Sequence, residues 1–189
     1  VGEMRSGGQR HFTGFVRDWH GVDRIVDWMA SPGAPANTHL LVVGDGPVRV
    51  ELEVQARRLG LVERVTFTGV IHRDQVPAHV AAFDVALQPA VTPYASPLKL
   101  MEYLVLGKAV IAPATPNLQE VLTDNVNALL FNEAEPGALE HTLSRLCHDS
   151  ALRERLAQGA ADTIDRLELT WLGNARKAVA LVARESQAR

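Results

Sequence analysis

The run Ser96-Pro97-Leu98-Lys99-Leu100-Met101-Glu102 holds the residue types of this chain best suited to chemistry. Serine is favoured at a helix N-cap and proline at the first helical position, so the spacing predicts a helix from Pro97 to Leu106. Pro97 has no N–H, which leaves the amides of Leu98 and Lys99 open at the helix start. With the positive end of the helix dipole they make an anion site. A lysine in the first turn works against that dipole, by about 0.3–1 kcal/mol when exposed. Between Arg73 and Arg145 the lysines and arginines are Lys99 and Lys108 alone. Lys108 lies just past the helix end, where a cation is favourable without any further role. Lys99 sits at the unfavourable end, and a bound phosphate would turn the cost into a gain; a solvated surface lysine is the plainer alternative. Glu102 follows Lys99 by three residues and Leu98 by four, which puts it on their face one turn deeper. A carboxylate there can accept hydrogen bonds from two vicinal hydroxyls, or pair with Lys99. An anion site followed one turn later by a diol acceptor points to a nucleoside diphosphate.

The elements that must position this segment follow from the alternation along the chain. Residues 11–16 give a short apolar stretch, followed by an amphipathic run from Val22 through Ile25, Val26 and Met29. Ser31-Pro32-Gly33 ends that helix. Leu40–Val43 reads as a buried strand stopped by Gly44-Asp45-Gly46-Pro47, and a helix from about Val48 to Leu59 is closed by Gly60. The unit then recurs: strands at 65–68, 84–88, 109–112 and 128–131, with helices at 75–83, 97–106 and near 117–122. From Pro136 the chain reads as helical with a break around Gly159–Thr163. Continuous apolar strands alternating with helices imply a doubly wound, Rossmann-like α/β domain. Its parallel sheet would have about six strands, covered by helices on both faces. Residues 1–9 form an N-terminal extension and residues 10–189 a single domain. Ligands in such a fold sit beyond the carboxyl ends of the strands, where strand order reverses.

Composition narrows the classes. The chain has 189 residues, 47% hydrophobic and 22% charged, with 19 basic and 22 acidic residues for a net charge of −3. That balance argues against a binder of duplex nucleic acid working through a broad positive field. A single cysteine, Cys147, excludes an internal disulfide framework and a multi-cysteine metal site. No apolar run approaches the ~20 residues of a membrane-spanning helix, and no signal peptide is visible. The expected location is cytoplasmic, with membrane contact at most peripheral to the inner face.

The chain resembles the C-terminal, donor-binding domain of retaining glycosyltransferases of the two-domain GT-B type, in particular the large bacterial family 4 (group 1). The resemblance runs from about Phe12 to Leu181. It rests on residues 14–23 (GFVRDWHGVD), 41–47 (LVVGDGP), 65–69 (VTFTG), 96–103 (SPLKLMEY) with 107–112 behind it, and 125–131 (NVNALLF). It implies a nucleoside-diphosphate sugar, UDP- or GDP-linked, as donor. Glu102 would match the second glutamate of the family's Glu–seven residues–Glu motif and hold the ribose. The amides of Leu98 and Lys99, with Ser96, would hold the diphosphate, and Lys99 would supply the catalytic charge. Val70 and Ile71 would meet the base, and Gly14 and Gly44 would line the cleft. It further implies no metal or other cofactor, and an N-terminal acceptor domain that this sequence lacks, so that the domain alone is expected to be inactive.

Three positions depart from the pattern. The first glutamate of the motif falls at Tyr94, so sugar recognition must differ. The family's phosphate-binding arginine and lysine fall at Phe15 and His20. His20 is expected to donate a hydrogen bond to a phosphate, with capping of the first helix or packing on Trp19 as the alternative. Arg17 and Arg73 are auxiliary cations or solvated surface residues, His72 and His79 are structural, and Trp19, Trp28 and Trp171 are packing residues. Three other functions stand as alternatives. A nicotinamide-binding domain would want a Gly-x-Gly-x-x-Gly series that is missing here. A sugar-nucleotide epimerase or hydrolase would share this donor site, and a non-catalytic descendant would have lost part of it.

Overall fold

The computed structural model describes residues 9–13, 16–94 and 98–187. Six strands form one parallel sheet: β1 (Gln9–Thr13), β2 (His39–Val43), β3 (Val65–Phe67), β4 (Val85–Leu87), β5 (Ala109–Pro113) and β6 (Leu129–Phe131). The order across the sheet is β3-β2-β1-β4-β5-β6, with every neighbouring pair parallel. β1 starts at Gln9, opposite His39, so the sheet takes in the last residue of the expected extension. The helices are α1 (Val22–Met29), α2 (Arg49–Arg58), α3 (Val76–Ala81), α4 (Leu98–Val105), α5 (Pro116–Gln119), α6 (Ala138–His148), α7 (Ser150–Arg166) and α8 (Trp171–Gln187).

β4, β5 and β6 are apolar throughout, and β2 is apolar after His39, because alternate residues feed two different cores. Leu40, Val42, Val85, Leu87, Ala109 and Ile111 pack with α1, α2 and α6, and with Leu152 and Leu156 of α7. Val43, Ala86, Val110 and Ala112 face the other way, onto Val80 of α3, onto Leu100, Tyr103 and Leu104 of α4, and onto Leu118 of α5. Side chains of a strand alternate between faces, so covering both faces requires a continuous apolar run. Gly60 closes α2 in the left-handed conformation (φ +70°), as its position in the sequence suggests.

The C-terminal third differs from expectation. No break occurs at Gly159–Thr163; α7 runs unbroken through it, and the chain turns at Asp149 and again between Arg166 and Trp171. The Asp149 side chain accepts from the Leu152 N–H at 2.8 Å and so starts α7. Gly159 is there for close approach rather than flexibility, since a Cβ on it would lie 2.0 Å from the Val126 carbonyl oxygen. Beside it the fully buried Asn127 donates to the Val121 carbonyl (2.9 Å) and to the Thr163 hydroxyl (2.8 Å), and accepts from the Thr123 N–H (2.6 Å). This junction fastens the turn before β6 to α7. Among the described residues, no helix is long and apolar enough to cross a membrane.

Gly159→Ala is expected to lower stability by about 1–3 kcal/mol, the usual cost of forcing a methyl into a filled space, read from urea unfolding. An unchanged midpoint would mean that α7 and the Val126 turn separate freely.

Candidate functional site

Strand order reverses between β1 and β4: from β1 the chain builds outward through β2 and β3, from β4 through β5 and β6. Their carboxyl ends leave in opposite directions and open a crevice. A cavity of about 260 Å³ lies there. Trp19 and His20 line it from the β1 side, Gln88, Ala90, Val91 and Thr92 from the segment after β4, and Leu98 and Lys99 from the first turn of α4. Three of the expected residues, His20, Leu98 and Lys99, thus come together although 78 positions separate His20 from Leu98 in the chain. The helix begins at Leu98, and Ser96 and Pro97 lie outside the described residues, as do Gly14 and Phe15.

Burial sets the electrostatics. The Lys99 ammonium is pushed down from 10.5 to about 7, because the surrounding protein strips water from it. His20 is lowered to about 4, first by burial, then by the charges of Lys99 and Arg17, with Asp18 opposing them. Its ring is therefore neutral near pH 7. The Arg17 backbone N–H donates to His20 Nδ1 at 3.1 Å, so the neutral ring carries its proton on Nε2. His20 is then a hydrogen-bond donor whose tautomer is set by the turn that holds it. Arg17 itself lies over the Trp19 ring, 5.1 Å from the centroid, and the Trp19 and His20 rings meet edge-on at 6.0 Å.

The other expected residues lie elsewhere. Glu102 is exposed one turn along α4, on the helix face that carries Leu98 and Lys99, and does not line the cavity. Gly44 takes φ +132° at the end of β2, bridges to Gly69, and donates its N–H to the Thr68 hydroxyl at 3.1 Å. The neighbouring Gly46 touches the β1 side directly: a Cβ there would lie 1.9 Å from the Val16 carbonyl oxygen, and the Val16 N–H donates to the Asp45 carbonyl at 2.9 Å. That glycine is needed because two backbones meet. Val70 is 85% exposed after β3, and Ile71 packs on the α3–α4 core; neither lines the cavity.

Several side chains carry other roles than expected. Trp28 is buried, as read, whereas Trp19 is half-exposed on the cavity wall and Trp171 is 94% exposed. Tyr94 is also exposed and outside the cavity lining. Gln88 escaped notice in the sequence, although a polar residue directly after the apolar run Val85–Leu87 marks the point where a buried strand reaches a site. His72 meets Asp74 at 3.3 Å on the surface. Among the described residues no three histidine, cysteine, aspartate or glutamate side chains are placed to hold a metal ion.

Residues 12–163 match the profile of the family described as glycosyl transferases group 1. The chain is 32% identical over 135 residues to 2-deoxystreptamine glucosyltransferase of Streptomyces kanamyceticus, covering 71% of this chain and 34% of that protein. It is 34% identical over 130 residues to the lipopolysaccharide core biosynthesis glycosyltransferase LpsD of Rhizobium meliloti, covering 68% and 36%. Among solved structures, HepE of Anabaena in complex with UDP aligns with a TM-score of 0.80 at 24% identity, over 94% of this chain and 49% of that one. The C-terminal domain of the group 1 protein LpcC from Francisella tularensis aligns at 0.74 and 22% identity, over 84% and 85%. The chain belongs to the group 1 glycosyltransferase family and has the fold of one half of its GT-B members. It spans about a third of the length of these curated relatives.

The Lys99 shift fixes the sign of a stability effect. Between pH 7 and 10.5 the unfolded chain holds a proton that the folded chain does not, so the cost of burying Lys99 is full below about 7 and fades toward 10.5. Relative to Lys99→Met, the native chain is expected to gain stability steadily as pH rises from 7 to about 10, in paired urea unfolding curves. A constant difference across that range would contradict a buried Lys99.

Proposed function

We propose that this chain is the donor-binding half of a glycosyltransferase that moves a sugar from a UDP- or GDP-sugar to an acceptor with retention of anomeric configuration. The observation that carries the reading is the cavity at the strand-order reversal, where the opening turn of α4 and a poorly hydrated lysine share one wall with the neutral His20 donor. Diphosphate is an anion that all three groups suit: helix-start amides at Leu98 and Lys99, an ammonium group, and an imidazole N–H. The negative charge of the diphosphate grows as the sugar–oxygen bond breaks. Donors already in place, in a site with little water, favour that state over the bound donor. Lys99 is the residue assigned to that task.

The remaining roles extend outward from the diphosphate. Glu102, one turn along α4, takes the ribose hydroxyls; the backbone at Val70 and Ile71 takes the base; Gly44, with Gly14 and Ser96, borders the donor. No step calls for a metal ion. The acceptor and much of the sugar's surroundings would come from an N-terminal domain, in an enzyme working on the cytoplasmic side with at most peripheral membrane contact. Relatives bearing glucosyltransferase and lipopolysaccharide-core glycosyltransferase names support the reaction class, and the UDP held by HepE supports the ligand class. Exposure of Tyr94 outside the cavity favours one second reading, a descendant that binds donor without turnover.

Ligand-observed NMR titration of the chain with UDP and GDP tests the assignment. A half-site open to water is expected to bind one of them with about 4 kcal/mol, a millimolar dissociation constant. Lys99→Ala and Glu102→Ala should each weaken it at least fivefold, and unchanged affinity in both would remove the site. The pH dependence has a definite sign. The diphosphate prefers protonated Lys99, which loses its proton above about 7, so affinity should fall up to tenfold per pH unit from there. Lys99→Met should flatten that slope. His20, neutral throughout this range, should contribute none of it.

A further inference from the structure

The cavity wall holds a buried acceptor that no part of a diphosphate can satisfy. Gln88 is 1% exposed and lines the cavity, and its backbone N–H donates to the Ile111 carbonyl at 2.9 Å. Its side-chain Nε2 donates to the Ala90 carbonyl. That bond fixes which end of the amide is the oxygen, and Oε1 has no hydrogen-bond partner among the described residues. A buried acceptor left unpaired destabilises the structure that holds it, so a ligand bringing a donor to this wall gains more than the same donor would gain in water.

Phosphate oxygens only accept, and in the proposed site their donors are Lys99, His20 and the α4 amides. The ribose is assigned to Glu102. The base carries N–H donors of its own but is assigned to the backbone at Val70 and Ile71, so on a nucleotide sugar the donors left over are the hydroxyls of the transferred sugar, which adjoin the diphosphate. We infer that Gln88 reads a hydroxyl of the transferred sugar through Oε1, and that Trp19, half-exposed on the same cavity, offers its ring to the sugar's apolar C–H face. This inference rests on the donor-site reading above. It gives the site a means of recognising the sugar that does not pass through Tyr94. Oε1 is sheltered from water at the cavity wall, so the ligand must turn the terminal amide about its last side-chain bond, a torsion with a broad well, and the Nε2 donor then passes from the Ala90 carbonyl to a hydroxyl oxygen of the same sugar.

The experiment compares bare diphosphates with nucleotide sugars: UDP against UDP-glucose, GDP against GDP-mannose, and analogues of the tighter sugar each lacking one hydroxyl, all titrated into the full chain by ligand-observed NMR. One deoxy analogue should bind the native chain at least fivefold more weakly than the parent sugar. Gln88→Leu should lose the same factor for the parent sugar and nothing further for that analogue, while binding the bare diphosphate within twofold of the native chain. Equal loss for diphosphate and sugar would overturn the inference and leave Gln88 as a brace of the segment after β4. Should Gln88→Leu not fold, the analogue series on the native chain still decides, since no single hydroxyl mattering overturns the inference. A nucleotide sugar binding no tighter than its diphosphate overturns it too. Absence of binding by both UDP and GDP would instead remove the donor-site reading on which it stands.

Discussion

Placing an ammonium group where water reaches it poorly costs stability, and this fold concentrates that cost at one point. Lys99 sits in the first turn of α4, at the end of the helix whose dipole already disfavours a cation, and burial lowers it to about 7. Two independent penalties fall on one side chain. The anion that relieves both is the one the helix start itself attracts. A site with this balance binds charge strongly and holds neutral groups weakly, which suits a reaction whose leaving group becomes more negative as it departs.

The rest of the molecule keeps that point in place. The crevice exists because β1 and β4 are neighbours whose chains diverge. The β1 side is held to the β2 loop through Gly46, where two backbones touch, and through the bond from Val16 to Asp45. The α4 side rests on Tyr103, Leu100 and Leu104, buried against Val110 and Ala112 of β5. His20 completes the wall with a proton position set by one backbone bond from Arg17. Positional precision in such a crevice derives from backbone fixtures of this kind, on a scaffold packed on both faces.

Much of the scaffold was legible in the sequence because continuous apolar strands and Gly- or Pro-marked turns are local signals. Each of the six strands, and the helices from Val22 to Gln119, lie within a few residues of where pattern alone puts them. Gly159 misled for a physical reason: a glycine inside a helix reads as a weakness until its neighbour is known, and the neighbour here is the distant Val126 carbonyl. The site divided the same way. Lys99 and Leu98 stood out from helix-start chemistry, but their meeting with His20 depends on strand order, which composition and periodicity do not carry. Gln88 and Trp19 were missed or misread because their roles come from which wall they face.

The chain combines the fold of one half of a group 1 glycosyltransferase with a cavity wall in which histidine and glutamine stand beside the lysine. ¹³C NMR of the lysine ε-carbon across pH, with and without saturating UDP or GDP, follows the Lys99 side chain itself. The expected midpoint lies near 7 in the free chain and moves well above it when a diphosphate binds. A midpoint at the ordinary lysine value in the free chain, or one that binding leaves unmoved, would contradict it.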